Sequence, residues 1–254
     1  MVSAATLATN LIDKTFYQDA DGIPGRLRRM TAKLLQSLPG ASVVTNDADR
    51  QGDVLLAMEA LETALKHCDF QTVLDVGSGA GKHAELFHRH GKSVTTIDFG
   101  KSIYYQKRDQ HRTDIIADYY EYQFDQPFDL VWASHVLEHQ PNPNDFLKKV
   151  HRDTKEGGWV VITVPPLKHQ IVGGHLSLWN AGMLLYHLVF AGFDCRKAWV
   201  KRSGYNISVI VDKRSIVLPE LHYDSGDINR LSAFLPLGLG EGFDGNIRSM
   251  NWPD

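Results

Sequence analysis

The chain has 254 residues, 43% apolar and 22% charged, enough apolar matter for a sizeable buried core. Its formal net charge of -3 offers no basic footprint for a nucleic-acid backbone, and no run approaches the roughly 20 apolar residues of a membrane span. The two cysteines, Cys68 and Cys195, lack metal-ligand spacing and fit two free thiols in a reducing compartment better than a disulfide scaffold.

In chain order, the first 68 residues read as helical. A helix is expected at Leu27–Leu38, then a polar loop between Gly40 and Gly52. A second helix is expected over Asp53–His67, where Leu55, Met58, Leu61 and Leu65 share one face. From residue 72 short apolar strands alternate with helices. Strands are expected at Val73–Val76, Val94–Asp98, Ile115–Ala117, Leu130–Ala133 and Trp159–Val164, with helices at Lys82–Arg89, Lys101–Lys107 and Asn144–Arg152. Such alternation implies a parallel sheet covered on both faces. A further helix runs from Ser177, its expected N-cap, to Ala191, with Gly192 as its stop. Asp194–Val200 and Tyr205–Asp212 are strand-like and joined by too short a link for a crossover, so they form an antiparallel hairpin. The expected organisation is an N-terminal helical segment over 1–68 packing on a core of 69–212. The remainder, 213–254, reads as a cap or tail and not as an independent domain.

The strongest chemical signal is VLDVGSGAGKH at residues 73–83. Glycines after a strand let the backbone turn sharply and let a ligand lie against the main chain. A phosphate-binding P-loop is excluded, because Val76 and His83 stand where Gly and Ser or Thr are needed. A dinucleotide fingerprint places its third glycine at Lys82, one residue after Gly81, so a nicotinamide reading is weakened but stays open. The third option is a G-x-G-x-G loop following the acidic Asp75.

This loop resembles the first motif of the class I S-adenosylmethionine-dependent methyltransferases, and further segments match in order over roughly residues 50–212. Strand two ends VTTIDFG at Asp98, strand three ends IIADYY at Asp118, strand four runs FDLVWASHVLEHQPNP, and GGWVVITVPP forms strand five. The resemblance implies a Rossmann-like, mostly parallel seven-stranded α/β sheet with a terminal antiparallel hairpin and helices on both faces. It implies S-adenosyl-L-methionine as cofactor, with Asp75, Gly77, Ser78, Gly79 and Gly81 forming its cradle. It places Asp98 on the ribose, Phe99 over the adenine face, Asp118 with Tyr119 at the adenine edge, and Ser134 and His135 beside the sulfonium.

Methyl transfer from a sulfonium needs in-line placement, exclusion of water and, for a hydroxyl acceptor, a base. Histidines after strands four and five are the candidates: His139, His175 and His169. His175 follows the hinge-like pair Gly173–Gly174. His135, Glu138 and His139 at i, i+3 and i+4 would share a helical face and resemble the E-x-x-E-H cluster of some metal-dependent members. His in place of the first Glu softens the preference for Mg²⁺, and since the HVLEH run is also frequent in metal-independent members, no metal is expected. Trp132, Trp179 and Trp199 are candidates for stacking on a sugar or ring, although large aromatics are more often core. The HLSLWNAGMLLYHLVFAGFD segment resembles small-molecule and polysaccharide-cluster methyltransferases, which implies O-methylation of a sugar or small-molecule hydroxyl. The charge, the cysteines and the lack of a long apolar run lead to the expectation of a cytoplasmic protein without nucleic-acid or membrane partners. The rival readings are a nicotinamide-dependent Rossmann enzyme and a non-catalytic cofactor-binding protein. Asn206-Ile207-Ser208 is a glycosylation sequon without use in the cytoplasm.

Overall fold

A computed structural model of the chain describes residues 55–108 and 114–254. The expected helix at Leu27–Leu38, the polar loop between Gly40 and Gly52 and the start of the Asp53 helix lie outside the described residues.

The described chain opens with helix α1 (Met58–His67), then strand β1 (Thr72–Val76), helix α2 (Lys82–Arg89) and strand β2 (Ser93–Asp98). Strand β3 is short (Ile115–Ile116), and β4 (Phe128–Ser134) leads through helix α3 (Pro143–Asp153) into the long β5 (Thr154–Val164). Helix α4 (Ala181–Phe190) precedes the hairpin β6 (Trp199–Ser203) and β7 (Asn206–Asp212). A short helix α5 (Asp227–Leu231) and a two-residue strand β8 (Ser249–Met250) complete the order.

All eight strands form one sheet in the order β3-β2-β1-β4-β5-β7-β6-β8. The first five are mutually parallel, and β7, β6 and β8 pair antiparallel. The α/β architecture is the one expected, with one addition. Residues 249–250 of the C-terminal stretch pair with Val200 and Lys201, making an eighth strand where seven were expected.

Side-chain alternation along β4 divides the core. Leu130 and Trp132 face Ala60, Leu61, Ala64 and Phe87 of α1 and α2, while Val131 and Ala133 face Leu147, Leu184 and Leu188 on the other side. Both faces are therefore covered by helices, as near-continuous apolar strands require. The strand order reverses between β1 and β4, which opens a crevice beyond their C-terminal ends, where α/β sheets bind ligands.

Several local expectations differ. Lys101–Lys107 is helical only as a 3₁₀ turn at Tyr105–Lys107. The N-cap of α4 is Asn180, whose side chain accepts from the Met183 amide at 2.7 Å. Ser177 instead accepts from the Trp179 indole at 2.9 Å, because the residues before Asn180 run alongside Pro166. Strand β6 starts at Trp199 and not at Asp194. Asp194 is held by a fork to Arg196, and the hairpin turn is the two residues Gly204 and Tyr205, with Gly204 left-handed at φ 54.

Candidate functional site

Three glycines in left-handed conformations carry the chain out of β1: Gly77 (φ 68), Gly79 (φ 53) and Gly81 (φ 72). A side chain at any of them costs about 1–2 kcal/mol in this region. The loop is tied to the tip of β2. The Gly77 amide donates to the Ile97 carbonyl at 2.8 Å, and the Gly79 amide donates to Asp98 Oδ2 at 2.9 Å. Asp98 Oδ1 accepts from the Gly100 amide at 2.8 Å. The buried Asp98 carboxylate thus braces two loops with one lone pair of each oxygen and keeps the others for a ligand.

Ser78 is buried, and among the described residues its hydroxyl has no hydrogen-bond partner. Asp75 is buried beneath the loop on β1. Phe99 is exposed at the β2 tip, with the Lys101 ammonium 4.4 Å from its ring centre. Asp118 caps the next turn, accepting from the Tyr120 amide at 2.9 Å. A bare main-chain turn, a buried hydroxyl and two carboxylates at neighbouring strand tips fit an adenosyl group bearing ribose hydroxyls and an amino edge.

Tyr119 does not join them through its side chain. Its ring is buried against Phe146, with centroids 5.3 Å apart, and lies under the Lys149 ammonium at 4.5 Å. Burial and the Asp153 carboxylate raise its hydroxyl well above the ordinary value of 10.0, so it is a neutral core residue.

Beyond β4, the Val136 side chain seals the loop: a Cβ on Gly77 would stand 2.4 Å from Val136 Cγ2. The same turn carries further polar side chains. Ser134 accepts from the Thr163 hydroxyl at 2.9 Å. His135 is left-handed at φ 55, and both its ring nitrogens meet protein: Nε2 is 2.9 Å from Asn206 Oδ1, and Nδ1 is 3.2 Å from Glu138 Oε1. The ring thus bridges β7 to the 3₁₀ turn Leu137–His139. That turn also overturns the expectation that residues 135, 138 and 139 share an α-helical face.

Glu138 is fully buried, and its main-chain carbonyl accepts the Leu176 amide at 2.8 Å, stitching the loop after β5 onto the turn. His139 Nδ1 is 2.8 Å from the Gly174 carbonyl. The His139 and His175 rings meet edge to face, 4.9 Å between centres. Donor atoms of Glu138, His139 and His175 all lie within 4.8 Å of one another. Burial lowers the half-buried His175 from its ordinary 6.5, against the pull of the Glu138 carboxylate. The structure thus brings His139 and His175 together with Glu138, whereas His169 is an exposed residue of the same loop. Trp132 and Trp179 are buried, and Trp199 packs on Trp159 at 5.2 Å, so these indoles serve the core.

Sequence reasoning missed Asn206, Gly174 and Tyr205, the last stacked on His135 at 5.8 Å. Asn206 carried a signal only as a sequon, and Gly174 only as a hinge.

Over residues 29–206 the sequence matches the family model described as a methyltransferase domain. The chain belongs to this family. The methyltransferase domain is of the class I, S-adenosylmethionine-dependent kind with a Rossmann-like fold. It is 32% identical over 155 residues to the ubiquinone biosynthesis O-methyltransferase of Pseudomonas aeruginosa (strain LESB58), covering 55% of this chain and 66% of that one. Over 108 residues it is 30% identical to the malonyl-[acyl-carrier protein] O-methyltransferase of Salmonella typhimurium, covering 41% and 43%. The matches thus span between 43% and 66% of these relatives' own lengths. Among solved structures, the Burkholderia thailandensis 1,6-didemethyltoxoflavin-N1-methyltransferase superposes with a TM-score of 0.54 at 17% identity, over 79% of this chain and 98% of that one. The methyltransferase domain shares that fold.

Proposed function

We propose that this chain transfers the methyl group of S-adenosyl-L-methionine to a hydroxyl oxygen of a small-molecule acceptor. The observation that carries the reading is the Val136 side chain seated on Gly77. It sets the turn bearing Glu138 and His139 directly against the glycine cradle, so the cofactor and an acceptor would meet across one residue. The O-methyltransferase relatives support oxygen as the acceptor atom. A sugar hydroxyl rests on resemblance alone.

In this reading Gly77, Ser78, Gly79 and Gly81 hold the methionine portion by their main chain. Asp98 takes the ribose hydroxyls with its remaining lone pairs, Phe99 covers the adenine, and Asp118 meets its edge. The acceptor enters beside the loop 165–178, whose closure over Glu138 keeps water from the cleft. His139 accepts the hydroxyl proton at Nε2, because its Nδ1 proton is already donated to Gly174. The oxygen lone pair forms the new bond to carbon as the carbon–sulfur bond breaks, leaving neutral S-adenosylhomocysteine. His175 and Glu138 flank the imidazolium so formed. A cytoplasmic location is part of the proposal. Its support is that Cys68 and Cys195 are both free and buried, with burial pushing the Cys68 thiol up to about 12.

The test is incubation with methyl-labelled S-adenosylmethionine and a panel of phenolic, catecholic, sugar and amine acceptors, read by mass spectrometry. Label on a hydroxyl supports the reading. Transfer to amines alone, or tight NADH binding without S-adenosylhomocysteine binding, refutes it.

A further inference from the structure

The acceptor side of the cleft contains a feature that proton transfer alone leaves unexplained. Glu138 has a side chain with 0% exposure, and among the described residues neither carboxylate oxygen receives a hydrogen bond. An uncompensated buried carboxylate costs several kcal/mol. Its neighbours are two imidazole nitrogens, His135 Nδ1 at 3.2 Å and His139 Nε2 at 3.9 Å.

The proton positions on these rings follow from their other partners. The Gly174 carbonyl can only accept, so His139 carries its proton on Nδ1 and presents a bare lone pair at Nε2. That lone pair faces the carboxylate with no proton between them. Such an arrangement is repulsive until a positive centre lies there. His175 brings a third donor atom within 4.8 Å of the other two. His135 stands outside the set. The Asn206 amide donates to the Ser203 carbonyl at 3.2 Å, which turns its oxygen onto His135 Nε2, fixes the proton there and leaves His135 Nδ1 as a second bare lone pair 3.2 Å from Glu138 Oε1.

We infer that Glu138, His139 and His175 form a binding site for one divalent first-row transition cation of the zinc type. The Gly174 carbonyl and the His135–Asn206 pair are its outer supports. The inference concerns the site proposed above for the acceptor and rests on that reading only for its use in catalysis. Two imidazoles and one carboxylate are the donors of Zn²⁺, Co²⁺ or Fe²⁺ sites, whereas Mg²⁺ demands oxygen ligands in near-octahedral array. A carbonyl holding the far nitrogen of a ligating histidine is the usual device for aiming the near one. Three protein donors leave a position for a further oxygen; with a cation bound, His139 Nε2 is its ligand and no longer the base, and the cation's charge would acidify the bound hydroxyl, whose proton passes to solvent.

The experiment uses the full chain after chelator treatment, titrated with Co²⁺ alone and followed by visible d–d absorption, with Zn²⁺ competition by calorimetry. One Co²⁺ per chain is expected, displaced by Zn²⁺ and not by millimolar Mg²⁺. His139→Ala and His175→Ala, at a solvent-exposed and a half-buried position, should each weaken Co²⁺ at least tenfold while S-adenosylhomocysteine affinity is kept. Asn206→Ala should weaken it roughly tenfold to a hundredfold through the outer support. A wild-type protein that binds S-adenosylhomocysteine yet takes up no Co²⁺ or Zn²⁺ overturns the site, as does binding unchanged in both histidine variants or preference for Mg²⁺. Cation uptake without methyl transfer to any acceptor would refute the proposed function and leave this site standing.

Discussion

Gly77 and Val136 approach so closely that no side chain fits between them: a Cβ on Gly77 would lie 2.4 Å from Val136 Cγ2. Through this contact the strand tip that carries the cradle is locked to the turn that carries the acceptor-side groups. Gly77→Ala adds the cost of a left-handed alanine, about 1–2 kcal/mol, to that of overpacking, about 1–3 kcal/mol. Affinity for S-adenosylhomocysteine should therefore fall at least tenfold, about 1.4 kcal/mol. Adding Val136→Ala should recover only part of the loss, since it relieves the clash and leaves the φ of 68. Calorimetry on the single and double variants checks this. Full affinity in Gly77→Ala would contradict it.

His139 and His175 are assigned to the acceptor, not to the cofactor. His139→Ala and His175→Ala should lower kcat by roughly a hundredfold to ten-thousandfold. Cofactor affinity should stay within a factor of about three in both. His169→Ala, on the exposed part of the loop, should leave both quantities near wild type. Initial-rate kinetics with a competent acceptor would show whether the loss sits in kcat.

Acidity should weaken the fold through His83. This ring packs on Trp132 at 5.0 Å with Nε2 2.9 Å from the Leu56 carbonyl. Burial, with a smaller push from His135, lowers its pKa from 6.5 to about 4. The unfolded chain therefore takes up the proton more readily than the folded one between those values. Stability is complete above pH 6.5, declines as pH falls toward 4, and is insensitive to this group below that. The slope is at most about 1.4 kcal/mol per pH unit. His83→Gln keeps a donor for Leu56 and removes the titration. Urea unfolding of both proteins at neutral and acid pH should show a shallower decline in the variant.

Much of this arrangement was legible in the residues. The 73–83 glycine loop, the carboxylates ending strands two and three, and the alternation of apolar strands are local, periodic signals that survive folding unchanged. What was not legible depends on contacts distant in sequence. Asn206 reaches His135 across 71 positions and Gly174 reaches His139 across 35, and no local pattern announces either pairing. Tyr119 misled because it directly follows Asp118. Asp118 opens a turn, its carbonyl accepting the Glu121 and Tyr122 amides at 3.2 and 3.1 Å, and the Tyr119 ring within that turn packs on Phe146 in the core. The HVLEH run looked helical, yet the left-handed His135 starts a 3₁₀ turn that replaces His135 with His175 in the cluster.

The account stands or falls on the cradle, and isothermal titration of wild type and Asp98→Ala with S-adenosylhomocysteine tests it most directly. Asp98 holds the Gly79 and Gly100 amides at 2.9 and 2.8 Å, so its loss removes the brace of the loop together with the carboxylate proposed to meet the ribose. One ligand per wild-type chain, with affinity at least tenfold weaker in the variant, is the predicted result. Folded wild-type protein that gives no heat with millimolar S-adenosylhomocysteine, or a variant that binds equally well, would contradict it.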